Sequence, residues 1–221
     1  MKKLVILLSI LTLAVVSMGA LVSLDPWVMP MGRISFSAGN PTWAVRYGLF
    51  DFVEAGAAMK EQGGYMKFGF GNENFGAGFG IGTAFMFTNV FGAIGFKSGG
   101  LEIDAGGRLV QEPNSYDLRE EQNPKLSMTF EGEVSYLFSR EGNSKNRAGL
   151  YGIYISKDLK GTFAEFQSGA YISAMYRDVF FMPYVRLSGG IMFRYDGKPI
   201  VLYRNFGILI DITAYFDIFK K

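Results

Sequence analysis

Residues 126–138 have the sequence Leu-Ser-Met-Thr-Phe-Glu-Gly-Glu-Val-Ser-Tyr-Leu-Phe, in which apolar and polar side chains alternate. The apolar positions on one face are Leu126, Met128, Phe130, Val134, Tyr136 and Phe138. A helix would scatter these residues around its circumference, whereas a β-strand places every second side chain on the same side. The stretch therefore predicts a strand with one apolar face and one polar face.

The same alternation recurs in segments 101–110, 181–195 and 206–219, and each time the charges lie on the second face. A charge on a lipid-facing surface would cost about 2–4 kcal/mol at mid-membrane, so this segregation suits strands that cross a bilayer. Turn residues divide the chain into segments 31–38, 42–48, 51–60, 65–71, 75–87, 90–97, 101–110, 125–138, 148–156, 162–176, 180–195 and 202–219. The pattern predicts an all-β fold, a single closed antiparallel transmembrane β-barrel of about twelve strands, with ten or fourteen as alternatives.

Residues 75–96 offer a rival interpretation because this uncharged stretch is long enough for a transmembrane helix. Its glycines, however, alternate with other residues from Gly76 to Gly82, which is a period of two. Each glycine would also cost a helix about 1 kcal/mol. We therefore predict two strands joined by a hairpin near Thr88-Asn89.

The first twenty residues resemble a secretion signal. Lys2 and Lys3 precede an apolar stretch from Leu4 to Val16, and small residues follow near Ala20. We predict a cleaved signal peptide at 1–20 and a barrel at 21–221. Removing two lysines from 22 Lys+Arg leaves 20 against 20 Asp+Glu, so the mature chain is neutral and has no global attraction to nucleic acid.

Two connections are longer than the others. With twelve strands and both termini in the periplasm, connection 111–124 is predicted to be extracellular. Connection 139–147 is then periplasmic, where long connections are unusual, and the alternation offers no reason for its length.

The last strand, 212–219, resembles the C-terminal strand of bacterial outer-membrane barrels, with Tyr215, Phe216 and the terminal aromatic Phe219. Lys220 and Lys221 depart from that pattern by following the terminal aromatic residue. The hairpin at 46–54 is similar to a turn of porin-like families. The resemblance implies a location in the bacterial outer membrane, contact with its lipid and recognition by the barrel-assembly machinery, and it leaves homo-oligomerisation open.

Alternation directs many charges inward. The predicted basic stripe of the lumen is Arg177, Arg186 and Arg194. The predicted acidic stripe is Glu102, Asp104, Glu131 and Glu133. The other inward charges are Arg33, Arg46, Glu54, Lys67, Asp211 and Asp217. Facing stripes of opposite sign would create a transverse field that orients polar solutes.

Enzyme chemistry finds little support in the sequence. The chain contains no histidine, the usual proton-transfer group near neutral pH, and no cysteine. We predict no catalytic residues, no metal site and no cofactor; loop acids Glu120 and Glu121 could bind Ca²⁺ only weakly.

Two hypotheses about function remain. In the first, the barrel is a small porin-like passive channel for ions or small polar solutes. Twelve strands enclose more space than eight, and the inward glycines at 76–82 remove bulk from one wall. In the second, paired charges plug a structural or adhesion barrel that presents loop 111–124 to an external partner.

Overall fold

The computed structural model describes residues 25–40, 43–58, 63–84, 87–112, 125–139, 145–179 and 182–218. Twelve antiparallel strands form one closed barrel, in which each strand pairs with its neighbours in sequence. The strands are β1 Arg33–Asn40, β2 Trp43–Phe50, β3 Val53–Ala58, β4 Gly63–Gly71, β5 Phe75–Ala84, β6 Phe87–Ser98, β7 Leu101–Glu112, β8 Lys125–Ser139, β9 Lys145–Ser156, β10 Phe163–Val179, β11 Met182–Tyr195 and β12 Phe206–Asp217. A short helix, α1 (Leu202–Asn205), precedes β12.

The barrel closes where β1 pairs with β12, in a register that runs from Arg33 opposite Asp217 to Asn40 opposite Ile210. An ion pair joins β1 to β12 at the end of this seam where β1 begins, with Arg33 Nε 2.6 Å from Asp217 Oδ1. Ser37 and Thr213 share a hydrogen bond further along the seam. Closure leaves no unpaired sheet edge, which is the condition for β-structure in a membrane.

The outer surface of the barrel is apolar. Exposed side chains include Phe79, Phe130, Ile172, Leu150 and Ile191, each more than half exposed. Monomeric soluble proteins rarely expose apolar surface on this scale, whereas a lipid-facing barrel requires it. Within the described residues, no helix is long and apolar enough to cross a membrane.

The two ends of the barrel differ. We call the end at which β1 begins and β12 ends the terminal rim. Three of its connections are tight: 51–52 links β2 to β3, 72–74 links β4 to β5, and 99–100 links β6 to β7. At the opposite rim, Asp158 organises the β9–β10 turn by accepting hydrogen bonds from the Thr162 and Lys160 N–H groups.

The predicted fold is confirmed, and the strand number is twelve. Residues 75–84 and 87–96 lie in the antiparallel strands β5 and β6 rather than in a helix. The predicted turn near Thr88-Asn89 is wrong, because both residues belong to β6 and pair with Thr83 and Gly82 of β5. The predicted connection 139–147 is shorter in the structure because β8 extends to Ser139 and β9 begins at Lys145. Strand β7 likewise extends to Glu112. Residues 113–124, which are the rest of the predicted extracellular loop, lie outside the described residues, as does the predicted signal peptide.

Candidate functional site in the barrel lumen

Residues 25–31, Asp-Pro-Trp-Val-Met-Pro-Met, form a segment inside the barrel that we call the strap. The strap precedes β1 and lies across the inner faces of β2 to β6 near the terminal rim. Pro26 and Met29 are buried. Since prolines at 26 and 30 remove two backbone donors, the strap does not extend the sheet.

Glu54, on β3, anchors the middle of the strap. Its carboxylate is 1% exposed and accepts a hydrogen bond from the Met29 N–H at 2.8 Å. Arg46 donates to both oxygens of this carboxylate, at 3.0 and 2.8 Å, and the Tyr65 hydroxyl donates at 2.7 Å. A buried carboxylate needs such partners to remain charged. Glu54 is therefore a structural anchor with every partner supplied by the protein.

Arg46 and Lys67 hold the beginning of the strap. Arg46 Nη1 lies 3.0 Å from Asp25 Oδ2, and Lys67 Nζ donates to the carbonyl oxygens of Asp25 and Trp27 at 3.0 and 2.8 Å. Burial acts to raise the pKa of Asp25, but the charges of Arg46 and Lys67 and the hydrogen bond from the Trp27 N–H outweigh burial and lower that pKa to about 2. Asp25 therefore remains ionised at neutral pH.

Trp27 fastens the strap to β6. Lys97 Nζ lies 3.3 Å from the centroid of the indole ring, which is a cation–π contact. The indole N–H donates to the carbonyl oxygen of Asn72 at 3.1 Å. The ring thus contacts the wall of the barrel and the β4–β5 connection together.

Glycines of the wall make room for the strap. A Cβ at Gly76 would lie 2.6 Å from the Trp27 ring, and a Cβ at Gly69 would lie 2.6 Å from Val28 Cγ1. Further along β5, the Phe91 ring fills the space above Gly80. The expectation that the inward glycines open the lumen is therefore wrong for most of their length, because the strap and Phe91 occupy that space.

A polar cavity of about 470 Å³ remains beside the strap. Its charged lining residues are Asp25, Arg46, Lys97, Glu102, Asp104, Glu133, Arg147, Arg186 and Asp211. Ser37, Ser173 and Ser188 add hydroxyl groups, and Trp27, Tyr171 and Met175 add larger side chains. A cavity of this size matches sites for small molecules, and its lining suits polar and charged ones.

The three arginines of the predicted basic stripe each contact a different partner. Arg186 lines the cavity, where its Nη2 lies 3.7 Å from Asp211 Oδ2 and donates to the Thr213 hydroxyl. Arg194 pairs with Glu165. Arg177 is exposed, with its Cζ 5.7 Å from the Tyr184 ring centroid. Each arginine therefore interacts with a neighbour on its own side of the barrel.

The predicted acidic stripe lies on the inner face of β7 and β8, where all four carboxylates are buried. Glu102, Asp104 and Glu133 line the cavity together with Arg186. Glu102 is paired with Arg147 at 2.7 Å and with Lys97 at 3.5 Å. Glu131 lies opposite Gly106, two residues from Glu133 along β8.

The remaining predicted residues divide between the strap, the seam and the C-terminal strand. Arg46, Glu54 and Lys67 hold the strap, Arg33 and Asp217 close the seam, and Asp211 pairs with Arg186. Phe216 makes an edge contact with Phe36, and its neighbour Tyr215 lies opposite Ser35. Phe219 lies outside the described residues.

Alternation does not identify the strap, because residues 25–31 have no period of two. A tryptophan between two prolines, before the first strand, is the only signal of an unusual segment there. Alternation also does not predict that Arg147 faces the lumen, because this residue falls within the segment 139–147 predicted as a connection. Among the described residues, no group of three or more Asp, Glu, His or Cys has a geometry that could hold a metal ion.

Comparisons with known proteins give similarity in fold only. No family model matches the chain, and no curated protein matches its sequence. Among solved structures, the NanC porin is 7% identical with a TM-score of 0.43, covering 83% of this chain and 97% of its own. The outer-membrane channel DcaP of Acinetobacter baumannii is 14% identical with a TM-score of 0.39, covering 90% and 68%. A loop-deletion variant of OmpT, an outer-membrane protein of Vibrio cholerae, is 10% identical with a TM-score of 0.37, covering 83% and 96%.

Proposed function

We propose that this chain is a bacterial outer-membrane protein that passively conducts ions and small polar solutes through the lumen beside the strap. The observation that carries the proposal is the charged cavity of about 470 Å³ inside a barrel whose outer surface is apolar. A chain that only anchored itself in lipid would have no need of a polar cavity. Charged linings of this kind are how channels select solutes.

The strap supports a narrow channel rather than a wide one. It occupies the wall formed by β2 to β6, while the cavity extends to Tyr171, Arg186 and Asp211 on β10, β11 and β12. Twelve strands enclose more space than the eight that side chains alone fill, so a strap along one wall leaves room beside it. Solutes the size of an amino acid or a monosaccharide suit the remaining space.

Export and assembly complete this proposal. We assign residues 1–20 to a cleaved signal peptide and the terminal rim to the periplasm, which makes 111–124 extracellular. The alternating strand β12, with Tyr215, Phe216 and Phe219, is the segment that the barrel-assembly machinery would bind. Homo-oligomers in the membrane are compatible with the apolar outer surface.

A plugged structural barrel is the second candidate, and the strap is the observation that favours it. Trp27, Glu54 and Arg46 fill part of the lumen with a fixed network. On this alternative, the protein would anchor the envelope or present its extracellular loop to a partner and would transport nothing.

Liposome swelling separates the two candidates. Vesicles containing the folded protein are diluted into isotonic solutions of glycine, glucose or a trisaccharide, and vesicle size is followed by light scattering. We expect rapid swelling with glycine, slower swelling with glucose and none with the trisaccharide. Equal absence of swelling with all three solutes, in vesicles shown to contain folded barrel, would support the plugged alternative.

A further inference from the structure

Two neighbouring connections at the opposite rim, 157–162 between β9 and β10 and 196–205 between β11 and β12, form an exposed surface that we call the shoulder. We propose that the shoulder binds the phosphorylated headgroup of an outer-leaflet lipid, with its lysines on the phosphate and its apolar side chains against the acyl region. The inference rests on the outer-membrane location given in the proposed function, and it is independent of conduction through the lumen.

The two connections form one surface because β10 pairs with β11. The Phe163 ring, at the end of the first connection, lies 5.9 Å from the Tyr195 ring, at the start of the second. A Cβ at Gly197 would lie 3.8 Å from the Phe163 ring. A ligand seated on one connection therefore reaches the other.

The shoulder presents large apolar side chains to its surroundings. Leu159, Ile200, Leu202 and Tyr203 are 54%, 61%, 75% and 88% exposed. Single exposed apolar residues are ordinary on a protein surface, whereas a group of four on adjoining connections marks an interaction site.

Buried contacts hold the backbone that carries three of these side chains. Asn205 is 3% exposed, and its amide group donates to the Arg194 carbonyl oxygen at 2.6 Å. Its Oδ1 accepts a hydrogen bond from the Val201 N–H at 2.6 Å. Arg204 pairs with Asp196, which ties the two ends of the connection together. The short helix α1 therefore presents Leu202 and Tyr203 from a fixed frame.

The shoulder carries a surplus of positive charge. Its cations are Lys157, Lys160, Lys198 and Arg204, and its carboxylates are Asp158 and Asp196. Asp196 binds Arg204, and Asp158 accepts hydrogen bonds from Thr162 and from the Lys160 N–H. Within the described part of the chain, none of the three lysines forms an ion pair. Charge complementarity therefore calls for an anionic partner, and lysine binds phosphate as a point charge.

Aromatic side chains beside the shoulder place it at the membrane interface. The rings of Tyr154 and Phe163 are 6.0 Å apart, and those of Phe193 and Phe206 are 5.2 Å apart. All four lie at the ends of strands that lead into the shoulder, and Phe206 is 50% exposed directly after α1. Girdles of aromatic residues mark both lipid interfaces of membrane barrels. The shoulder is therefore continuous with the lipid-facing surface at the level of the headgroups.

This combination of features favours a lipid over a soluble anion or a protein. Basic side chains at a membrane surface attract anionic headgroups, while neighbouring apolar side chains enter the boundary of the acyl chains. A free phosphate ion would leave Leu202 and Tyr203 exposed. A lipid with a phosphorylated headgroup satisfies both the lysines and the apolar group.

Lipid binding by the full-length, folded protein in neutral detergent tests the shoulder. Bisphosphorylated or dephosphorylated lipid A is titrated in and bound lipid is counted by native mass spectrometry, with inorganic phosphate as a competitor. The lysine variant is Lys157→Gln/Lys160→Gln/Lys198→Gln, and its matched control has arginine at the same three positions. Leu202→Ser is compared with Ile218→Ser, at the terminal rim, where the side chain is 54% exposed. Heat-modifiable gel mobility establishes that each variant is folded.

We expect the glutamine variant to bind bisphosphorylated lipid A about a hundredfold more weakly than the wild type, at about fivefold for each lysine. The arginine variant should keep the wild-type affinity. Leu202→Ser should weaken binding about tenfold, whereas Ile218→Ser should not change it. Inorganic phosphate should not displace the lipid.

Equal affinity of the wild type and the glutamine variant for lipid A would overturn the shoulder, as would equal binding of phosphorylated and dephosphorylated lipid A. Displacement by inorganic phosphate would assign the lysines to a free anion instead. Binding that appears only after Glu120→Gln/Glu121→Gln would make the chain's own acidic loop the occupant and overturn the lipid assignment. A conducting barrel that ignores lipid A would leave the channel intact, whereas a silent barrel that binds it through the lysines would overturn the channel alone.

Discussion

The carboxylate of Asp25 lies 3.0 Å from the guanidinium of Arg46, so an ion pair ties the beginning of the strap to β2. The same guanidinium binds Glu54, whose other partners include the Met29 backbone. One arginine therefore connects two points of the strap to the wall. This arrangement makes the strap a fixed part of the lumen rather than a loose terminal segment.

The Asp25 ion pair predicts how the strap responds to pH. The pKa of Asp25 is lowered from 3.8 to about 2, so its stabilising contribution is complete above about pH 4 and is lost as the pH falls towards 2. In a Trp43→Phe background Trp27 is the sole tryptophan, and its fluorescence reports the strap. We expect a constant Trp27 emission maximum from pH 8 to 4 and a change only below. A transition between pH 5 and 7 would contradict this assignment.

Because Val28 lies close to Gly69, we expect a disulfide to form between cysteines introduced at these two positions. A Cβ at Gly69 would lie 2.6 Å from Val28 Cγ1, within a few tenths of an ångström of the Cβ–Sγ separation of about 3 Å across a disulfide. The chain contains no cysteine, so Val28→Cys/Gly69→Cys introduces the only pair. We expect it to oxidise in the folded barrel and shift gel mobility under non-reducing conditions. The single variants, and the mismatched pair Val28→Cys/Gly107→Cys, should not cross-link internally. Failure of the matched pair to cross-link in folded protein would place Val28 away from the wall.

Two glycine-to-alanine changes are predicted to have opposite effects. At Gly76 a Cβ would meet the Trp27 ring, so Gly76→Ala should lower stability by about 1–3 kcal/mol, as overpacking does, and expose Trp27 to aqueous quenchers. At Gly107 the nearest atoms to a Cβ lie at 3.6 Å. Gly107→Ala should therefore be neutral or raise stability by about 0.4–1 kcal/mol through the unfolded state.

Thermal unfolding in detergent, followed by circular dichroism, measures both glycine variants against the wild type. Acrylamide quenching of Trp27 in the Trp43→Phe background adds a readout specific to the strap. If Gly76→Ala had the stability and quenching of Gly107→Ala, Trp27 would not lie against β5.

Much of the fold is predictable from the sequence because a lipid-facing barrel imposes a period of two on every strand. Residues 126–138 show this period clearly, and Glu131 and Glu133 follow it to buried positions on the inner face. The inward direction of Arg46, Glu54 and Lys67 is also predictable from alternation. Their partners are not, because a period gives the face of a residue but not what lies across the lumen.

The strap is the part that sequence reasoning could not supply. Trp27 and Met29 belong to no periodic segment, and their positions depend on glycines 49 and 19 residues further along the chain, at Gly76 and Gly48. The glycines themselves indicate space but not its occupant. Which charged side chains pair within the lumen also depends on tertiary geometry. Alternation places Arg186 on the inner face but does not say whether its partner lies on β7 or β12, and in the structure it pairs with Asp211 on β12.

Single-channel recording shows whether the lumen of the barrel conducts ions. The purified, folded wild-type protein is added to a planar lipid bilayer in KCl, beside a sample denatured by heat and a Trp27→Ala variant. We expect discrete, reproducible conductance steps from the folded protein alone, with larger steps when the Trp27 ring is removed from the lumen. Protein that inserts as a folded barrel yet gives no steps, in either form, would contradict a conducting lumen.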